Sequence, residues 1–315
     1  LSASAVAFLL GFAAANYGVF GVARPDLWLW VAVAAVLMLT GVVGVLTADS
    51  PRRFSIWSVL GVELFAVFSL VPLLWLFSVA TAPAGAPRTT LWPGEISWWA
   101  FGAARSGTVL DAIGTSALVA GLATIAAVVL AVPAAIGLVR RPLAGRRVAY
   151  GAVVAALVLP ILVLAAPAGA QLLAWDLTAS RPAMAVPTLA VSLPLAIWLC
   201  VRLVARAPWT LHAAMLADGA DRRQRLRRFA LPYLALDLLV VTVMVFYWTA
   251  GDLALGLAMA ATDETRDLPA TLLVLTGRGD VSSQVVAAAG VWWLLPAVVL
   301  LIVFSRRVVA LLGRP

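Results

Sequence analysis

The sequence predicts an all-α, polytopic membrane protein of about eight transmembrane helices with both termini in the cytoplasm. Three observations lead there. Of 315 residues, 64% are hydrophobic and only 11% charged, with a mean hydropathy of +1.05, where a water-facing domain carries roughly 25% charge. Apolar runs of about 18 residues or more recur from end to end, each long enough to cross a hydrocarbon core of about 30 Å. The basic residues cluster in every second connection, as the positive-inside rule requires.

Helices rather than strands are expected because a helix satisfies its own backbone hydrogen bonds in lipid, and the alternating pattern of a membrane barrel is absent. The spans fall at 5–22, 27–46, 56–77, 112–139, 148–170, 187–204, 234–256 and 285–304. The fourth is too long for one straight crossing and is expected to tilt or to continue into water. Pro133, Pro160, Pro167 and Pro194 lie inside spans, where they should kink the helix and free carbonyls. Of the 22 basic residues, all arginine, 16 fall in one set of connections and 6 in the other. Placing the 16 inside orients every span without exception.

Between spans, the segment 78–107 is rich in Pro, Gly and Trp (Trp92, Trp98, Trp99) and is expected to lie along the interface, where tryptophan prefers to sit. Segment 171–186 is a shorter outside turn. A third outside segment, 257–284, carries Asp263, Glu264, Asp267 and Asp280 beside Arg266 and Arg278. Two readings of it stay open, a solvated loop and a docking surface for an extracellular protein.

Composition excludes several chemistries. Without lysine there is no Schiff-base lysine and no G-x-x-x-x-G-K-[ST] phosphate loop. One cysteine, Cys200, and one histidine, His212, leave no disulfide within the chain and no multi-thiolate or multi-histidine metal site. The net charge of +8 is spread by topology and is not interleaved with aromatics as in a nucleic-acid surface. The sequence opens on Leu1 rather than Met, so further residues are expected before it and no targeting signal is read there.

The longest inside segment, 205–232, is the most informative. Pro208 suits a helix start and Thr210 a cap. Leu211, Ala214 and Met215 form a short apolar stripe at helical spacing. Gly219 suits the left-handed position after a helix. An arginine-rich turn follows, and Leu231-Pro232 introduces the next span. The product is a short helix across the cytoplasmic mouth, shaped to dock in another protein's groove.

This segment resembles the EAA loop of the permease subunits of binding-protein-dependent ABC importers. That pattern runs Glu-Ala-Ala, three residues, Gly, nine residues, a bulky apolar residue, one residue, then Leu-Pro. Ala214 takes the place of the first Ala, Gly219 of the Gly, Phe229 of the bulky residue, and Leu231-Pro232 ends it. Asp218-Gly219-Ala220 is the triplet typical of sugar permeases. The motif's Glu falls on Ala213 and its second Ala on Met215, so contact must rest on apolar packing, Asp218 and the arginines. Past the loop, the Trp-Asn-Glu-Phe signature of sugar permeases falls on Ala250-Gly251-Asp252-Leu253, where only the acid survives. The likeness extends loosely from about Ile56 to the C-terminus and points to the second, maltose-type permease of a pair. It implies a six-helix permease domain over 51–315 with its coupling loop at 205–232, preceded by a two-helix extension over 1–50.

The resemblance further implies an ATPase-coupling surface of Leu211, Ala214, Met215, Asp218, Gly219, Ala220, Phe229, Leu231 and Pro232. The implied partners are a second permease chain, two ATPase subunits holding ATP and magnesium, an extracellular binding protein and membrane lipid; the chain itself has no cofactor and no catalysis. The expected location is the inner or plasma membrane, the cargo a sugar or related polyol. Glu63, Asp237 and Asp252 are the ionisable residues inside the drawn spans. For Glu63 and Asp252, as for Gln171, Trp248 and Thr249, a substrate path and plain packing or interface anchoring both remain open. The alternative to an importer subunit is a stand-alone secondary carrier or a membrane-embedded enzyme.

Overall fold

The computed structural model describes residues 73–85, 95–140, 145–159, 161–178, 180–260, 265–279 and 281–312. The first two drawn spans and residues 56–72 of the third lie outside the described residues, as does the whole of the 1–50 extension. Among the described residues every regular element is helical. The chain divides into two compact units, one of 1–105 with 278–292 and one of 106–277 with 293–315.

In the first unit a helical run covers 73–80 and α1 covers Trp99–Ala103. The Thr81 hydroxyl donates to the Phe77 and Ser78 carbonyls, the Ser97 amide to the Thr81 carbonyl, and the Trp99 indole to the Ala82 carbonyl at 3.0 Å. Trp98 packs on Phe77 and Phe101 and remains exposed. Trp92 lies outside the described residues.

The second unit is a helical bundle. Its elements are α2 (Gly107–Arg140), α3 (Arg146–Val158), α4 (Ile161–Ala174), α5 (Ala185–Arg206), α6 (Trp209–Ala217), α7 (Arg222–Arg225), a π-helix (Leu226–Ala235), α8 (Leu236–Ala250), α9 (Leu253–Met259) and α10 (Leu268–Arg278). After these come α11 (Ser283–Val303), which contributes residues to both units, and α12 (Ser305–Leu312). Among the described residues four helical runs are long and apolar enough to cross a membrane, five if α3 and α4 form one bent span.

The core forms where α2, α5 and α8 meet. Ala127, Ala131 and Ala135 of α2 face Ala196, Leu199, Cys200 and Leu203 of α5 and Val240, Val241 and Val245 of α8. Small side chains on α2 let the neighbouring backbones come close, which is how helices pack when lipid removes the hydrophobic drive. The opposite face of α2 presents Leu118, Leu122, Ile125, Val129 and Leu130 outward. A helix apolar on every side is the signature of burial in both protein and lipid. A second core joins Val119 and Ala123 of α2 to Ala165 and Leu172 of α4 and to Leu255 and Met259 of α9.

Three drawn elements change shape. The span 148–170 is two helices, α3 and α4, bent by 87°. Leu159 at their junction is extended (φ −61°, ψ 129°), the conformation favoured before a proline. The span 234–256 breaks at Gly251 (φ −90°, ψ 0°), so Asp252 starts α9 instead of lying within a spanning helix. The drawn outside loop 257–284 contains an 11-residue helix, α10. By contrast, α2, α4 and α5 continue through Pro133, Pro167 and Pro194.

Gly169 marks the closest approach of α4 to α9, where a Cβ would collide with the Ala258 carbonyl oxygen. Backbone cannot yield as a flexible side chain does, so Gly169→Ala should destabilise by about 1–3 kcal/mol. Scanning fluorimetry in detergent should show a lower unfolding temperature for it and none for Gly151→Ala, whose added Cβ meets open space.

Candidate functional site

The loop joining α5 to α8 is built from local hydrogen bonds. Pro208 occupies the cap position of α6 and no side chain caps that end. The expected Thr210 cap is therefore corrected: Thr210 lies inside the first turn, because the helix already begins at Trp209. At the other end the Ala220 amide donates to the Met215 carbonyl at 2.9 Å and the Gly219 amide to the Leu216 carbonyl at 3.1 Å. Gly219 has φ +77°. This is a Schellman ending, and its left-handed residue favours glycine. Asp221 then opens α7 with a reciprocal capping box, its Oδ1 accepting from the Gln224 amide and the Gln224 side chain accepting from the Asp221 amide.

An aromatic cluster holds α6 to its support. The Trp209 indole donates at 2.7 Å to the Val204 carbonyl at the end of α5, which also accepts the Ala207 amide. The Arg140 guanidinium lies 4.6 Å over the Trp209 ring, tying in the end of α2. His212, Trp209 and Phe229 stack mutually at 5.1 to 5.6 Å. Phe229 is buried and also touches Tyr233.

Leu231 and Pro232 lie inside the π-helix, which runs straight into α8. The expectation that they mark a boundary is corrected. A π turn bonds one residue further on than an α turn, so the wider ladder takes in a proline without ending the helix. Leu231 is exposed. On α6 itself no residue is buried: Leu211 is 37% exposed and Leu216 49%, with Ala214 and Asp218 also exposed and Met215 half-buried. The helix that sequence drew as a stripe is an apolar element open on most sides.

The predicted substrate-path residues do not converge. Glu63 lies outside the described residues. Gln171 on α4 and Trp248 on α8 are exposed. Thr249 is buried, its hydroxyl returning to the Val245 carbonyl. Asp237 pairs with Arg307 of α12 at 2.8 Å. Thr249 and Asp252 share a cavity at the end of α8 opposite the loop. At ≈ 20 Å³ it holds no more than a water.

That cavity brings in a residue sequence reasoning assigned elsewhere. Asp252 caps α9, its Oδ1 accepting from the Ala254 and Leu255 amides, while its Oδ2 is buried with no partner among the described residues. Asp267 caps α10 through the Ala270 amide at 3.0 Å and lies directly on Gly256, where a Cβ would displace it. Ser116 of α2 accepts from the Leu268 amide at 2.8 Å. Asp267 was grouped with the outward acids of a docking segment; it is turned inward, and the others of that group, Asp263, Glu264 and Asp280, lie outside the described residues. The signal was present: Asp267-Leu268-Pro269 is a cap residue followed by a proline, a local helix start.

Burial pushes the Asp267 carboxyl up to about 6, with the Asp252 charge adding to the rise and the Ala270 amide and Arg266 opposing it.

No family model matches the chain, and no curated protein sequence matches it. Among solved structures it is similar to a chain of a bacterial ABC transporter that imports the acidic polysaccharide alginate. The match covers 82% of this chain and 98% of that one, with a TM-score of 0.57 at 18% identity. The likeness is one of fold: this chain shares the helical fold of that transporter's chain.

A carboxyl raised in the folded state keeps a proton that the unfolded chain has already lost. Its contribution to stability is therefore full near pH 4, falls as pH rises towards about 6, and is level above. Between those limits wild-type thermal stability should decline relative to Asp267→Asn, which keeps a neutral cap. Unfolding temperatures of both proteins across that range check this; parallel curves would refute the assignment.

Proposed function

We propose that the chain is the permease subunit of an ATP-driven importer. It forms half of the translocation pore and couples to a separate ATPase through α6. The observation that carries this reading is a nine-residue apolar helix in a loop between spans, with no buried residue and both ends fixed. An all-round apolar helix is stable only when something covers it, and helix-in-groove docking is the mode it suits. Leu211, Ala214, Met215 and Leu216 supply the contact face, with Asp218 at its rim. Gly219 and Ala220 end the helix. Phe229 is the buried strut beneath it, and Leu231 and Pro232 form the base of the next helix.

In this reading residues 51–315 are the permease domain and 1–50 an accessory pair of helices. The partners are a second permease chain, two ATPase subunits that bind ATP and magnesium, and an extracellular binding protein, assembled in the cell membrane. A saccharide or related polyol is the cargo we favour, on the strength of the Asp218-Gly219-Ala220 triplet and the alginate-importing neighbour. A second reading, a proton-coupled carrier working alone, draws on the Asp252–Asp267 pair, because facing acids are how such carriers hold a proton.

The double substitution Leu211→Asp with Leu216→Asp alters exposed positions and should leave insertion intact. Copurification of the ATPase should fall roughly tenfold or more, since buried anchors dominate interface energy, and uptake should fall with it. Uptake that survives without any ATPase would instead establish the carrier.

A further inference from the structure

The junction between α2 and α3 has a feature that neither pore nor coupling loop uses. Here α2 ends at Arg140 and α3 begins at Arg146, after Gly145 with φ +80°. Between the end of α2, the first turns of α3 and Val201 of α5 lies an open cavity of ≈ 760 Å³. Its walls are of two kinds. Leu138, Val139 and Val201 are apolar, while Arg146, Arg147 and Tyr150 line the α3 side.

These arginines lack a carboxylate. Neither Arg146 nor Arg147 makes an ion pair or side-chain hydrogen bond among the described residues, whereas Arg307 has Asp237. The sequence itself says why: between Asp111 and Asp218 the only acid is Asp176. Four arginines at this junction (140, 141, 146 and 147) therefore have no anion nearby in sequence. The first amides of α3 also lack a side-chain cap, which adds positive potential at the same place.

Helical spacing then sets out the rest. Arg147, Gly151, Val154 and Val158 recur at i, i+4, i+7 and i+11, one face of α3. All four are exposed, Val158 at 78%. A Cβ at Gly151 would meet nothing within 4 Å, so that face is open between its basic end and its valines. A guanidinium pair, an open stretch without a side chain and an apolar track in line match a phosphodiester with its acyl chains.

We propose that this cleft binds the headgroup of an anionic glycerophospholipid of the inner leaflet. The phosphate sits between Arg146, Arg147 and the Tyr150 hydroxyl, and an acyl chain lies past Gly151 along Val154 and Val158. Basic pockets between membrane helices on the cytoplasmic side recognise such headgroups, and arginine binds phosphate through a planar fork of donors. The site rests on the arginine-based orientation and not on the importer reading, so either can fail alone.

The test uses the full chain, with whatever partner chains copurify, in phosphatidylcholine nanodiscs doped with phosphatidylglycerol. Lipids retained after transfer to detergent are counted by native mass spectrometry. The wild type should retain phosphatidylglycerol in preference to phosphatidylcholine. Arg146→Gln with Arg147→Gln should retain roughly tenfold less, and Arg222→Gln with Arg223→Gln, in the α7 turn, should match the wild type. Should the first pair fail to fold, Gly151→Leu puts a branched side chain across the acyl path while keeping both charges and should also lose the lipid. Equal retention in the Arg146/Arg147 and Gly151 variants, or equal loss in the α7 control, overturns the proposal. So does competition by inorganic phosphate alone, which would mark an ion site. Loss of a copurifying ATPase with unchanged lipid retention would mark a protein contact and overturn it too.

Discussion

Everything in this fold follows from the requirement that backbone polar groups be satisfied from within the chain wherever water is scarce. Unbroken helices meet it automatically, which is why α2, α5 and α8 form the core. Two of the interruptions are met by named side chains. Where α8 stops at Gly251, Asp252 takes the first amides of α9; where α10 starts, Asp267 takes the Ala270 amide and Ser116 the Leu268 amide. Inside the helices Thr188, Thr242 and Thr249 return their hydroxyls to the carbonyl four residues back, so that buried hydroxyls cost little. The cost appears where two caps converge. Asp252 and Asp267 are each well used by backbone, but they share one small cavity, and burial there raises the Asp267 carboxyl.

The two interruptions that bracket α8 differ in kind. At the loop end the helix widens into a π segment around Pro232 and the chain stays continuous from Arg222 to Ala250. At the other end it breaks cleanly. A displacement of α6 therefore meets continuous backbone through the π segment, and packed aromatic contacts from Trp209 and Phe229 to Arg140 at the end of α2. Because α2 and α8 also share the alanine-lined core, both routes lead into one packed body. Packed interiors deform little, so such a body moves as a unit about its irregular turns.

How far this was legible in sequence depended on whether the deciding partner was local. Spans were visible because hydropathy is a property of a contiguous run. The ending of α6 was visible at Gly219 because a positive φ selects glycine within a single residue, whereas Phe229 was picked out only by the likeness to the EAA loop. What escaped depended on other segments. Asp267 turns inward because Gly256, eleven residues earlier, has no side chain to occupy the space; in sequence it was one acid among four. The break at Gly251 needs Asp252 as its cap, yet in an apolar run that aspartate reads as a membrane-embedded charge. Thr210 failed as a cap because Pro208, two residues earlier, had already set the helix start.

The arginines show the same limit. The positive-inside rule counts them as equal charges and gives an expected orientation for every span, but it does not see what each guanidinium touches. Arg140 lies on Trp209 and Arg202 on Trp198, at 4.6 and 5.1 Å, as planar cations on ring faces. Arg307 is paired with Asp237 and closes α12 against α8. Stacking on a ring face suits a delocalised, planar cation that loses its water readily, which an ammonium is not. A chain whose every basic residue is arginine thus gains more than orientation: the same side chain anchors a loop, clamps a terminal helix and, where no ring or acid is offered, stays free for a phosphate.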